Sequence, residues 1–229
     1  MDVFFSGFHF RESFPIVWDG FQTNLVMMFV AEACVLAWGL VIVLLRMAPG
    51  RLGLPFRIAS IIYVDLFRGV PLIVLIVLVG FGLPIAGVFP GLSLFWWGVI
   101  ALTLAYGAYV AEVYRSGIRS IHPSQLAAAR SLGLSHTKTM RFVVLPQAVR
   151  NVVPALMNDF VSLQKDTALV SVIGLAEGLQ NANVYAGNNL NYTSVIGLAL
   201  CFIVITIPMT RFVDWLLERD DRRRQAGFA

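Results

Sequence analysis

The segment NDFVSLQKD, residues 158–166, sets Asp159, Lys165 and Asp166 among apolar and small polar neighbours. The chain around it is 58% hydrophobic and only 13% charged, where a soluble domain carries about 25% charged residues. Carboxylates and an ammonium in such a setting can line a polar path, face a partner, or pair with one another. Asn158, Ser162, Lys165 and Leu169 lie near one helical face, and Asp159 and Asp166, seven apart, share a neighbouring face. Two readings stay open. The stripe lines a substrate path or the seam with a second protein, or Lys165 pairs internally with Asp159 or Asp166. Glu112 joins the same candidate group, and its spacing also lets it neutralise Arg115; Asp65 and Arg68 have that spacing too. Glu32 has no local partner and is expected to seek a polar group on another segment. His9, His122 and His136 are far apart in sequence, so no metal site is expected. No CxxC, HExxH or Gly-rich phosphate loop ending in Gly-Lys-Ser/Thr occurs. No catalytic residue, bound cofactor or ATPase site of the chain's own is therefore expected.

The elements that position these residues are membrane spans. Leu25 to Leu45 is 21 residues with a single charge, Glu32, enough to cross roughly 30 Å of hydrocarbon. Gly69 to Ala111 is 43 residues without a charge. As one helix it would be about 65 Å long, so LPIAGVFPG (83–91) must divide it into two crossings. The first of the two is expected to begin near Ile58 and to carry Asp65 and Arg68 toward one membrane face. Further crossings are expected over about 152–176 and 193–215. The predicted fold is an all-α integral membrane protein with about five crossings. Residues 1–19 form an extracytoplasmic segment without a cleavable signal, 20–217 the transmembrane domain, and 218–229 a basic cytoplasmic tail. Cys34 and Cys201 are read as apolar packing residues, and the aromatic residues at 18, 96, 97, 192 and 215 as interfacial anchors.

Positive charge fixes the orientation. Arg46, Arg51 and Arg57 follow the first crossing, Arg115 to Arg150 supply six cations after the third, and Arg219, Arg222, Arg223 and Arg224 follow the fifth. The opposite side holds Arg11, while 81–92 and 177–192 contain no Lys or Arg. This pattern puts the N-terminus outside and the C-terminus in the cytoplasm.

The loop at about 116–149 is then cytoplasmic. Within it, SQLAAARSLG (124–133) predicts a short helix over 125–132, capped by Ser124 and ended by Gly133 in the left-handed conformation. Ser135 caps a second helix from His136 to about Leu145, with Pro146 after it. Ala127, Ala128 and Ala129 give a thin surface that another protein can approach closely; alternatively, the loop packs on its own spans.

These residues carry a resemblance. QLAAARSLGLSHTKTMRFVVLPQA is similar to the EAA loop of permease subunits of bacterial ABC importers, a Glu-Ala-Ala, three residues, Gly, nine residues, Ile-x-Leu-Pro pattern. Ala128, Ala129, Gly133, Leu145 and Pro146 match, with Val143 at the isoleucine place and Ala127 at the glutamate place. FRGVPL (67–72), GAYVAEVYRSGI (107–118), PQAVRNVVPALMND (146–159) and LQKDTALVSVIGLAE (163–177) resemble the polar amino acid uptake branch. The resemblance covers about residues 20–217.

It implies a type I importer permease fold in the bacterial inner membrane. It also implies that Ser124, Ala127, Ala128, Ala129, Gly133, Leu134 and Pro146 form the coupling loop that docks on a cytoplasmic ATPase dimer. ATP and Mg would be held by that partner. A second permease, identical or homologous, and an extracytoplasmic amino-acid-binding protein complete the implied assembly; nucleic acid has no part in it. Ala127 in place of glutamate loses a capping box with Ser124, costing about 0.5–1 kcal/mol. Two other classes compete: an ion-coupled secondary transporter, and a membrane assembly protein that transports nothing. Five crossings do not divide into the equal inverted halves of many secondary carriers.

The orientation is testable with single cysteines in a background lacking Cys34 and Cys201. Cysteines at Gly87 and Asn188 should react with an impermeant thiol reagent added outside, and one at Ser135 only after the membrane is opened. The reverse labelling would overturn the arrangement.

Overall fold

A computed structural model describes residues 3–226, with side chains described through Arg219. The described chain is helical throughout. The cations at 222–224 lie outside the described side chains.

Helix α1 (Gly7–Arg46) is 40 residues long, which is about 60 Å. It starts well before the apolar run at Leu25, so the boundary expected between residues 19 and 20 falls inside it. Ser6 caps it by accepting from the His9 N–H. Phe10, Phe14 and Trp18 stack in sequence along its first turns, and Pro15 is accommodated there.

Helix α2 (Leu54–Gly69) and helix α3 (Leu72–Ile85) are bent by 110° across Val70 and Pro71. The expected continuous second crossing is therefore broken. The cause is local: a residue before proline is pushed out of the helical region, and Val70 is extended at φ −104°, ψ 135°. Helix α4 (Leu94–Arg119) follows. Then come α5 (Pro123–Ser131) and α6 (His136–Thr139). A π turn, Met140–Val144, leads directly into α7 (Leu145–Asp166), which continues as a 3-10 turn over Thr167–Ile173. The second loop helix does not end at Leu145 as expected. Proline lacks an N–H and crowds the carbonyl four residues back; the widened turn before Pro146 relieves that, and the Gln147 amide donates to the Val143 carbonyl at 2.8 Å. Helices α8 (Gly178–Asn189) and α9 (Thr193–Ala226) complete the described chain.

Helices α1, α4 and α9 are long and apolar enough to cross a membrane, and the bent α2–α3 pair passes the same test as a unit. That makes up to four spans among the described residues, not five: the crossing expected over about 152–176 is not one of them, and α7, which carries Arg150, Asp159, Lys165 and Asp166, is the remaining long element. Its packing is antiparallel to α4: Gly117 meets Val152 near one end, Tyr106 meets Asp166 further along, and Gly98 meets Val170 at the other. Helices α1 and α4 run parallel, with Met27 beside Gly98 and Gly39 beside Val110. The core between them includes Met27, Val35, Trp97, Leu102, Val110 and Leu163. Trp97, expected at an interface, is buried there at 2% exposure. Lipid is as apolar as leucine, so close backbone approach at small residues must hold such helices together. Cys34 and Cys201 are free.

One clamp ties the ends of the chain together. Glu177, fully buried, accepts from the Leu179 and Gln180 N–H groups and so caps α8. It also accepts from the Asn24 amide at 2.8 Å. Asn24 donates to Thr167 Oγ1 as well, and its carbonyl accepts from the Gly178 N–H. Gly20 lets α1 come this close: a Cβ there would stand 2.6 Å from the Glu177 carbonyl carbon and 2.7 Å from its oxygen. Gly20→Ala should therefore push the 177 turn away and cost about 1–3 kcal/mol. Thermal unfolding in detergent checks this, and a wild-type midpoint would show that the turn yields freely.

Candidate functional site

A cavity of ≈ 240 Å³ lies where the second span breaks, against Val70 and Leu72. Phe67, Tyr106, Tyr109, Asp159, Ser162 and Asp166 supply its aromatic and polar lining. Helix α7 contributes Asp159, Ser162 and Asp166 because steps of three, four and seven residues keep them on one side of a helix. Helix α4 contributes Tyr106 and Tyr109 by the same spacing. Tyr106 donates to Asp166 Oδ2 at 2.6 Å. Asp159 Oδ2 is buried without a hydrogen-bond partner. Glu32, on α1, has Asp159 as an electrostatic neighbour, and among the described residues it forms no ion pair with an arginine. Two carboxylates, Asp159 and Asp166, thus line one cavity, and no salt bridge to either, or to Glu32, occurs among the described residues. Such a site has capacity for a cation or an ammonium.

Lys165 is not their counter-ion. It is exposed, as is Asn158, and both lie off the cavity lining. Helix geometry explains the failed pairing: neighbouring residues such as Lys165 and Asp166 do not face each other, and a six-residue step from Asp159 turns well away from it. Asp65 and Arg68 form no ion pair either. Arg68 sits over the Tyr109 ring, 5.3 Å from its centroid.

Glu112 lies away from the cavity. It pairs with Arg115, as the spacing predicts, and also accepts from Arg46 at 2.8 Å. This three-membered cluster joins the ends of α1 and α4. Arg46, Tyr106 and Tyr109 were not among the residues singled out from the sequence, since their partners lie far along the chain.

The 122–139 loop is a compact helix–turn–helix. His122, not Ser124, is the N-cap of α5: its Nδ1 accepts from the Ser124 N–H at 3.2 Å. Pro123 at the first helical position draws the start of the helix forward. The third helical position is then Gln125, so the capping box argued for position 127, and the cost of its loss, do not apply. Gly133 adopts φ +76°. Its N–H bonds to the Arg130 carbonyl, and the Leu134 N–H to that of Ala129, closing a Schellman turn. Ser135 accepts from the Lys138 N–H and caps α6. Ala127, Ala128 and Gly133 are exposed, Leu132 is 82% exposed, and Ala129 is buried inside the loop. Pro146 opens α7 and is exposed.

With this geometry in hand, residues 47–225 match the model of the family described as "Binding-protein-dependent transport system inner membrane component". The chain belongs to this family. It is 33% identical over 205 residues to the arginine transport system permease protein ArtQ of Bacillus subtilis, covering 90% of this chain and 92% of the relative. It is 36% identical over 185 residues to the probable glutamine ABC transporter permease protein GlnP of the same organism, covering 81% and 83%. Among solved structures it superposes on a chain of an amino acid ABC transporter crystallised with histidines, at TM-score 0.86 and 32% identity, covering 94% of this chain and 99% of that one. A methionine ABC transporter chain shares the fold at TM-score 0.70 and 23% identity, covering 89% and 95%. The chain is a multi-pass permease component with the type I importer fold.

The placement of Glu112 and Lys165 gives opposite expectations for assembly. Glu112→Gln leaves two half-buried arginines without a counter-charge and should cost about 1–3 kcal/mol, less than a fully buried pair. Lys165→Met should leave stability unchanged. The melting temperature of each variant checks this; a Lys165→Met destabilisation that is recovered by adding Asp159→Asn or Asp166→Asn would restore an ion-pairing role for that residue.

Proposed function

We propose that this chain is the permease of an ATP-driven importer of polar amino acids, and that the α7 cavity is part of its translocation path. The carrying observation is the unpartnered Asp159 oxygen beside Asp166, Ser162 and two tyrosines. Every free amino acid presents an α-ammonium that such a site can accept, and Arg68 at the Tyr109 rim offers a counter-charge for an α-carboxylate. The relatives named for arginine, glutamine and amino acids support the substrate class. Asn158 and Lys165, exposed on α7, face the seam with a second permease, identical or homologous. An extracytoplasmic binding protein delivers the substrate.

The 122–139 loop meets a cytoplasmic ATPase subunit, which holds ATP and Mg and hydrolyses the nucleotide. The exposed Ala127, Ala128 and Leu132 give a thin, apolar docking surface, with the Gly133 turn fixing its angle. The chain then lies N-out and C-in in the bacterial inner membrane, as the distribution of Lys and Arg supports. An ion-coupled carrier would have no use for such a loop.

The test is reconstitution with the ATPase and binding protein. Free amino acids are screened for stimulation of ATP hydrolysis and uptake. Asp159→Asn and Asp166→Asn should each lower uptake at least about tenfold, a 1.4 kcal/mol effect, while the complex still assembles. Gly133→Val forces a β-branched residue to positive φ and should uncouple hydrolysis from uptake with insertion intact. Wild-type transport by Gly133→Val would defeat the docking role, and wild-type transport by both aspartate variants would defeat the path.

A further inference from the structure

A second cavity, of ≈ 330 Å³, opens at the far end of the same helices, between the end of α1, the first turn of α2 and the last turns of α4. Arg46, Arg57, Arg115 and Arg119 line it. Four guanidinium groups share one carboxylate, Glu112, which engages Arg46 and Arg115. The Arg57 guanidinium donates to the Gly50 carbonyl at 3.2 Å and forms no ion pair among the described residues. Arg119 is exposed and forms no ion pair among the described residues. Arg46 and Arg119 both bear electrostatically on Arg115, and one carboxylate leaves the groove with an excess of positive charge among the described residues. Guanidinium forks match phosphate oxygens in pairs.

The surroundings decide what carries the phosphate. The elements that bound this groove expose Leu44, Met47, Leu52, Leu54 and Ile58, with Leu52 90% exposed. The groove is thus a basic notch with apolar flanks at the end of two spans. We propose that the Arg46–Arg57–Arg115–Arg119 groove binds the phosphate of an anionic phospholipid, whose acyl chains lie along the exposed leucines and isoleucine. Basic pockets between transmembrane helices take anionic head groups by this chemistry. The ligand bridges α1, α2 and α4 at the level of the Glu112 cluster. This inference rests on the membrane placement of the helices and is independent of the transported substrate.

The experiment uses the full transporter with its ATPase subunits, exchanged into an equimolar mixture of phosphatidylglycerol and phosphatidylcholine. Native mass spectrometry then reads the retained lipid. The wild type should retain phosphatidylglycerol over phosphatidylcholine by about tenfold or more. The double substitution Arg57→Gln/Arg119→Gln, which leaves the Arg46–Glu112–Arg115 cluster whole, should bring the ratio close to one with the ATPase stoichiometry unchanged. Excess inorganic phosphate distinguishes the sources. Lipid that stays bound identifies a lipid site; lipid that is displaced identifies free phosphate as the better ligand of the same arginines and overturns the assignment to lipid. Equal phosphatidylglycerol retention by wild type and variant overturns the proposal. So does a variant that keeps its lipid but sheds its ATPase subunits, which would make the groove a protein contact.

Discussion

A backbone group inside hydrocarbon has no water to turn to, so every interruption of a spanning helix must bring its own partners. The fold is organised by how it meets that demand. Where the chain leaves the 3-10 turn at Ile173 and starts α8, the orphan N–H groups are taken by the fully buried Glu177. The carboxylate is in turn held by Asn24 of α1, so a local capping problem becomes a contact between distant parts of the chain. The π turn before Pro146 and the Gln147 amide solve the same problem elsewhere. The break at Val70 and Pro71 borders a polar cavity, a setting in which irregular backbone can be tolerated.

The polar chemistry separates into two levels. Near the break, Asp159 and Asp166 share a cavity without a salt bridge among the described residues, and Tyr106 donates to Asp166. Toward the far ends of α1 and α4 the balance reverses: four arginines line one groove, and Glu112 pairs with two of them. Charges of one sign gathered in a low-dielectric setting interact more strongly than on a solvated surface. Each level is therefore poised for a counter-charge that the chain does not itself supply.

Much of this was legible in the sequence where the cause is local. Gly133 announced its left-handed turn because few other residues adopt positive φ. Glu112 and Arg115 announced their pair because a three-residue step stacks them on a helix. What could not be read depended on distant chain. Arg46 reaches Glu112 across 66 positions, and Asn24 reaches Glu177 across 153. Three misreadings have local causes. His122 took the cap assigned to Ser124 because Pro123 already begins the helix. Lys165 was set against Asp159 and Asp166 by proximity in sequence, whereas helical angles turn it away. The second span was read as continuous because hydrophobicity does not register a bend; Pro71 did, through the residue before it.

The run from His136 to Ile173 has a mechanical consequence. It passes through the π turn, α7 and the 3-10 turn without a loop. Its α7 portion alone has 22 residues, about 33 Å of rise. One end is seated in the 122–139 loop and the other carries Asp159 and Asp166, nearly two full turns apart and so almost aligned along the rod. Pro154 interrupts the rod's hydrogen-bond ladder before both carboxylates without ending the helix, so the segment that carries them is one piece. A twist or tilt applied at the loop swings both carboxylates by a common angle, and no side-chain relay is needed between the two ends. Both acidic groups would then turn relative to the cavity together.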